Sequence, residues 1–146
     1  MREAEVAIFV TRRGRSEVLV AHRSPSQGSY WHTVAGGIER DETPLAAAIR
    51  ELAEETGLTG VELQPGGAVA EYAYPLSEEP PERSALYPEG LVEVRVHCFV
   101  ADAPDDWEPT LDWEHDDYRW CAPDEAASTL RWPETAEALR RLLLEA

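Results

Sequence analysis

A chain of 146 residues with 43% hydrophobic content has enough apolar material for one core and too much for a disordered polymer. Its formal net charge of −16 repels phosphate backbones, which excludes duplex DNA or RNA as an expected partner. No apolar run approaches a membrane span, and Met1–Glu5 lacks the basic-then-apolar pattern of a secretion signal, so neither membrane insertion nor export is expected and the location reads as cytoplasmic.

Val6–Val10 is a short apolar run and reads as a strand, followed by a turn at Arg12–Arg15. Glu17–His22 reads as a second strand, so the two are expected to form a hairpin. Ser24–Ser29 is a Ser-, Pro- and Gly-rich loop, and Tyr30–Ala35 is a short extended piece entering Gly36 and Gly37. The clearest helix follows, with Thr43 as N-cap, Pro44 at the first helical position, Leu45–Glu55 as body and Gly57 as stop. Val61–Leu63 and Ala68–Tyr74 read as strands, and the acidic, Pro-rich Ser77–Gly90 as an exposed excursion able to cover a site. Leu91–Ala101 is a long strand, Asp102–Asp117 an acidic loop bearing Trp107 and Trp113, and Tyr118–Cys121 a short strand. Pro123–Leu130 and Pro133–Leu144 read as helices, the second amphipathic. Cys98 and Cys121 fall in expected strands as free thiols, and two cysteines alone make a poor zinc site. With no repeat or linker, 1–146 reads as a single α/β domain in which helices pack on a sheet.

The helix carries the chemistry. At about 100° per residue, Glu54 lies roughly 60° to one side of Glu51 and Glu55 roughly 40° to the other, so three carboxylates share one face. Leu45, Ile49, Leu52 and Ala53 point elsewhere and are expected to seat the helix on the core. Like charges at this spacing repel, and a divalent cation would turn that repulsion into ligation. Oxygen-only ligands favour magnesium, with manganese as the substitute, over zinc. Such an ion neutralises phosphate charge and acidifies a water whose proton a carboxylate accepts. Arg50 is one turn before Glu54 and is placed to orient a carboxylate, while Gly36 and Gly37 let backbone approach closely. The bland alternative is a solvated acidic face.

The pattern Gly36-x5-Glu42-x7-Arg50-Glu51-Leu52-x-Glu54-Glu55-x-Gly57-Leu58 resembles the signature of the Nudix hydrolases at every fixed position. Seven of those positions admit one residue type, and chance agreement is on the order of 10⁻⁸ at about 7% usage each, which decides against the bland alternative. The resemblance implies a mixed β-sheet sandwiched between α-helices (α/β/α), with the motif forming a loop–helix–loop. It implies magnesium-dependent cleavage of a phosphoanhydride bond in a small phosphorylated substrate, and a homodimer is common in the family. Carried over by position, Glu51, Glu54 and Glu55 become metal-site carboxylates and Ala35 offers its backbone carbonyl. Arg50 positions a glutamate, and Glu42, with Gly36, Gly37 and Gly57, is structural. The general base is Glu51 or a glutamate outside the motif.

Glu114 is the expected outside glutamate, because Glu114-His115-Asp116-Asp117-Tyr118-Arg119-Trp120 resembles a stretch of the Nudix triphosphate pyrophosphatases, including those acting on dihydroneopterin triphosphate. Glu93, interrupting an apolar strand, competes for that role, and either residue could be a plain surface carboxylate. Tyr30-Trp31-His32-Thr33-Val34 resembles the same group, and Trp31 is a candidate to stack on a base or pterin, with core packing as its alternative. Arg23, His32 and Tyr74 are further substrate-binding candidates, His22 a weaker one, and Arg12, Arg13 and Arg15 add cations on the first hairpin. Tyr74 also fits a dinucleoside polyphosphate hydrolase, and Pro75 lies near a position used for ADP-ribose. A non-enzymatic nucleotide-binding module is the rival of another class. Such modules usually lose a motif carboxylate, and none is missing here.

Overall fold

The computed structural model describes residues 2, 4–65 and 71–144. Their strands form one eight-stranded mixed sheet. At its centre runs β1 (Ala4–Arg12), buried throughout from Val6 to Arg12. A strand apolar on both faces must be covered on both, and here it is. Val6, Ile8 and Val10 pack with Leu52 of helix α1 (Pro44–Thr56), while Phe9 packs with Leu139 of helix α4 (Pro133–Leu143) and Ala126 of helix α3 (Pro123–Thr129). The result is the expected sheet between helices.

The first hairpin is shorter than its two strands. β1 meets β2 (Glu17–Arg23) only at Thr11↔Val18 and Arg12↔Glu17. After β3 (Trp31–His32), the strand β4 (Val34–Ile38) takes the first half of β1, from Ala4↔Ile38 to Ile8↔Val34. On the other side β1 runs parallel to β7 (Glu93–Asp102), which in turn carries β5 (Leu63–Pro65) and β6 (Glu71–Pro75) antiparallel to it. The expected start of β6 at residues 68–70 lies outside the described residues. β8 (His115–Cys121) pairs with β2, with a bulge between His22 and Arg23.

Helix α1 has the expected ends. The Thr43 side chain accepts from the Ala46 amide at 3.1 Å, Pro44 opens the helix, and Gly57 closes it at φ 80° with its N–H on the Ala53 carbonyl. Its seating differs from expectation. Leu45 and Ile49 are 46% and 53% exposed, and the buried face is Ala47, Ala48, Leu52, Glu55 and Thr56. The small alanines let the helix lie close to β4 and β1, so the carboxylate face and the seated face overlap. Ser77–Gly90 is also more than an excursion. It holds a short 3₁₀ turn and the helix α2 (Pro81–Ser84), and it is pinned by buried Tyr87, whose hydroxyl donates to Glu5. The Arg2 amide donates to the Leu86 carbonyl at 2.8 Å. Cys98 and Cys121 are free and buried, and no described helix is long and apolar enough to cross a membrane.

Candidate active site

Arg50 organises the exposed side of the motif. Its guanidinium donates twice to the Glu42 carboxylate, each at 2.9 Å, once to the Gly37 carbonyl at 2.9 Å and once to Glu51 Oε1 at 2.7 Å. Glu54 Oε2 lies 3.7 Å from the same group. Glu42 also accepts from the Glu39 amide at 2.9 Å, and these bonds, Arg50 first, hold its carboxyl down at about 2. Glu42 thus fastens the loop before α1 to Arg50. Gly36 lies under Glu51, and a side-chain carbon there would overlap the Glu51 carboxylate. At Gly37 the added carbon would first meet the flexible side chain of Arg2.

Glu55, beside Glu51, is turned into the interior. It is 3% exposed, and both of its carboxylate oxygens are buried with no hydrogen-bond partner. Burial, then the neighbouring Glu51, pushes its carboxyl well above the usual carboxylate range. His115 Nε2 stands 3.6 Å from Glu55 Oε1, and His115 Nδ1 is 2.7 Å from Asp112 Oδ1. The β8 bulge explains this aim, because it leaves Asp116 and Asp117 outward and turns His115 into the interior. His115 was not singled out from the sequence, although it stands beside Glu114 in the quoted stretch.

A cavity of about 280 Å³ opens over Glu51 and Glu54 and continues across Gly36 and Ala35 to the first residues of β1 and to β6. Arg23 and Glu114 border it, with Arg23 Nη2 3.2 Å from Glu114 Oε2 and 2.9 Å from Gln27 Oε1. Seven glutamates and three arginines line the cavity, so a polyphosphate would be repelled without added cations. Among the described residues no three acidic, His or Cys side chains already converge on one coordination point. The donors nevertheless fit a hard divalent cation. The two oxygens of Glu55 have no hydrogen-bond partner, with His115 Nε2 the nearby nitrogen at 3.6 Å, and the cavity wall beside it offers the Glu51 and Glu54 carboxylates and the Ala35 backbone.

Several sequence candidates lie elsewhere. Trp31 does not line the cavity. It meets the His22 ring at 5.0 Å and stacks under Arg119 at 4.4 Å, because alternation along the strand sends Tyr30 and His32 inward instead. Arg23, His32 and Tyr74 do line it. His32 is held neutral, its pKa lowered to about 3 by burial and then by Arg23. The Tyr74 hydroxyl is engaged by Glu5 at 2.7 Å and Glu79 at 2.8 Å. His22 is paired with Asp116 at 2.7 Å. Glu93 is exposed at the start of β7, outside the cavity. Arg12, Arg13 and Arg15 are committed to Glu17 and Glu108, to Asp105, and to Asp102, and Arg12 lies 4.0 Å over Trp120. The cavity walls that sequence reasoning missed include Tyr30, Tyr72, Trp132 and Glu134.

The NUDIX domain family matches residues 1–142. The octanoyltransferase of Myxococcus xanthus is 33% identical over 143 residues, which are 97% of this chain but 36% of that protein. The chain therefore spans about a third of that relative's length. The dihydroneopterin triphosphate diphosphatase of Haemophilus influenzae is 28% identical over 138 residues, 94% of this chain and 85% of that one. The solved structure of the E. coli dihydroneopterin triphosphate pyrophosphohydrolase superposes with a TM-score of 0.81 at 19% identity, covering 98% of this chain and 96% of that one. That likeness is one of fold.

Proposed function

The chain belongs to the Nudix family, and we propose that it is a magnesium-dependent pyrophosphohydrolase of a nucleoside or pterin triphosphate. The observation that carries this reading is Glu55, a buried carboxylate with no hydrogen-bond partner for either oxygen, set beside Glu51, which lines the cavity while Glu55 stays beneath the surface. A purely structural helix gains nothing from such a group, whereas a site that receives a cation needs it. Glu51, Glu54 and Glu55, with the Ala35 carbonyl and Glu114, would hold magnesium, or manganese in its place. When bound, the ion supplies charge neutralisation on the phosphates and a more acidic water.

The remaining work falls to the chain. Arg50 holds Glu51 by a 2.7 Å bond and keeps it from swinging away from the cavity. Glu51 or Glu114 accepts the proton of the attacking water. Arg23, buried beside Glu114, takes a phosphate oxygen. Support for a triphosphate substrate comes from the H. influenzae relative, which this chain matches over nearly its whole length.

The Tyr74 hydroxyl already serves Glu5 and Glu79, which weakens its support for a dinucleoside polyphosphate. The direct test is a panel of nucleoside and pterin triphosphates, dinucleoside polyphosphates and ADP-ribose, with product identification. Magnesium-dependent release of pyrophosphate from a triphosphate, stopped by EDTA, is expected. Absence of turnover across the panel supports the binding module instead.

A further inference from the structure

We propose that Glu134 reads a heterocycle presenting two adjacent N–H donors, the 2-amino-4-oxo edge shared by guanine and pterin. This rests on the triphosphate reading above and adds which ring the cavity takes.

The end of the cavity away from Glu54 is built for a flat ring. Tyr30 and Trp132 meet there edge to face at 5.8 Å, and Tyr72 contributes a third aromatic wall. The segment that carries Trp132 is tied to β3 by the Arg131 amide, which donates to the Trp31 carbonyl at 3.0 Å. Glu134 follows in the first turn of α4 and lines the same space. Its Oε2 is buried with no hydrogen-bond partner. The neighbouring hydroxyls of Tyr72 and Thr135 bond each other at 2.7 Å and neither reaches Glu134 Oε2. A buried acceptor facing a cavity, between aromatic walls, calls for donors on a planar ligand.

The chemistry of the donors narrows the ring. An ionised carboxylate only accepts, and it pairs best with two parallel N–H groups. Guanine and pterin carry a ring N–H beside an exocyclic amine. Adenine and cytosine place an acceptor beside their amine, and uracil flanks its N–H with two acceptors, so each sets a lone pair against the carboxylate. His32 supports the assignment. Its Nδ1 is buried without a partner in the same cavity, and its neutral ring offers one further hydrogen bond to a ligand.

Nucleosides test this without phosphate, metal or turnover, so the result is independent of the hydrolytic reading. Dissociation constants for guanosine, neopterin, inosine and adenosine are measured by ligand-observed NMR. Inosine differs from guanosine only by the missing amine. At least one of guanosine and neopterin should bind about ten-fold or more tightly than inosine and adenosine, and the better of the two identifies the source of the ring. Glu134→Gln should bring that preference within about two-fold, and Tyr30→Leu should weaken all four ligands alike. Equal binding of the four, absence of binding, or an unchanged preference in both Glu134→Gln and Glu134→Ala overturns the proposal.

Discussion

His115 Nε2 lies 3.6 Å from Glu55 Oε1, with the two side chains 1% and 4% exposed. Asp112, 2.7 Å away on the far side of the ring, fixes which way the imidazole faces. The pair sits behind the motif helix, where bulk water cannot orient Glu55. His115→Ala is therefore expected to raise the magnesium concentration for half-maximal rate by about ten-fold, in the range seen when groups behind metal ligands are removed. A magnesium titration of initial rate checks it, with Mn²⁺ binding followed by electron paramagnetic resonance as the readout independent of turnover.

Gly36 and Gly37 are neighbours with different duties. The Gly36 position is closed by the Glu51 carboxylate, while the nearest atoms at the Gly37 position belong to the flexible Arg2 side chain. Gly36→Ala should lower kcat more than about ten-fold by displacing Glu51, whereas Gly37→Ala should stay within about three-fold. Steady-state rates of the two variants, with circular dichroism to confirm folding, make the comparison.

Arg50 makes four short hydrogen bonds to three groups, a fork that an ammonium does not reproduce. Arg50→Lys should retain the charge yet lose about 1–2 kcal/mol of stability, read as a fall in Tm of roughly 2–8 °C for a domain of this size. Its rate should fall by more than its stability suggests, because Glu51 loses its anchor. Differential scanning calorimetry and kcat measured below the transition separate the two effects.

His32 gives the chain an acid sensitivity. Its pKa is lowered from 6.5 to about 3 by burial, so the unfolded chain binds a proton that the folded chain refuses. The stability from this group is complete above the ordinary value and is lost as pH falls through the window from 6.5 towards about 3. His32→Asn should flatten the dependence of Tm on pH across that window relative to the parent. Thermal melts in a series of buffers test the slope.

Much of the frame was legible in the sequence because it is local. Thr43, Pro44 and Gly57 mark the ends of α1 by backbone chemistry that needs no tertiary knowledge, and the spacing of Glu51, Glu54 and Glu55 follows from helical pitch. The seating of that helix was misread for a physical reason. Amphipathic reasoning sends carboxylates to water, yet Glu55 is turned inward and leaves Ile49 outside.

The substrate end was harder. One residue of strand phase decides whether Trp31 or Tyr30 faces the cavity, and composition does not carry that phase. Trp132 and Glu134 reach the cavity only because α4 packs over β6, a contact between elements far apart in the chain. The Glu114 stretch did place a glutamate at the cavity rim, but the inward turn of His115 depends on a bulge in β8.

On the reading proposed above, the carboxylates of α1, Glu55 foremost, make the chain a metal-dependent hydrolase of phosphoanhydrides. Glu55→Gln keeps the shape of the side chain and replaces a buried carboxyl that has no hydrogen-bond partner, so the variant should fold as well as the parent. Pyrophosphate release from the best triphosphate of the panel is measured with saturating magnesium for both proteins. A loss of about 10²–10⁴-fold in kcat with an unchanged circular dichroism spectrum is predicted; a Glu55→Gln rate equal to the parent's contradicts the claim.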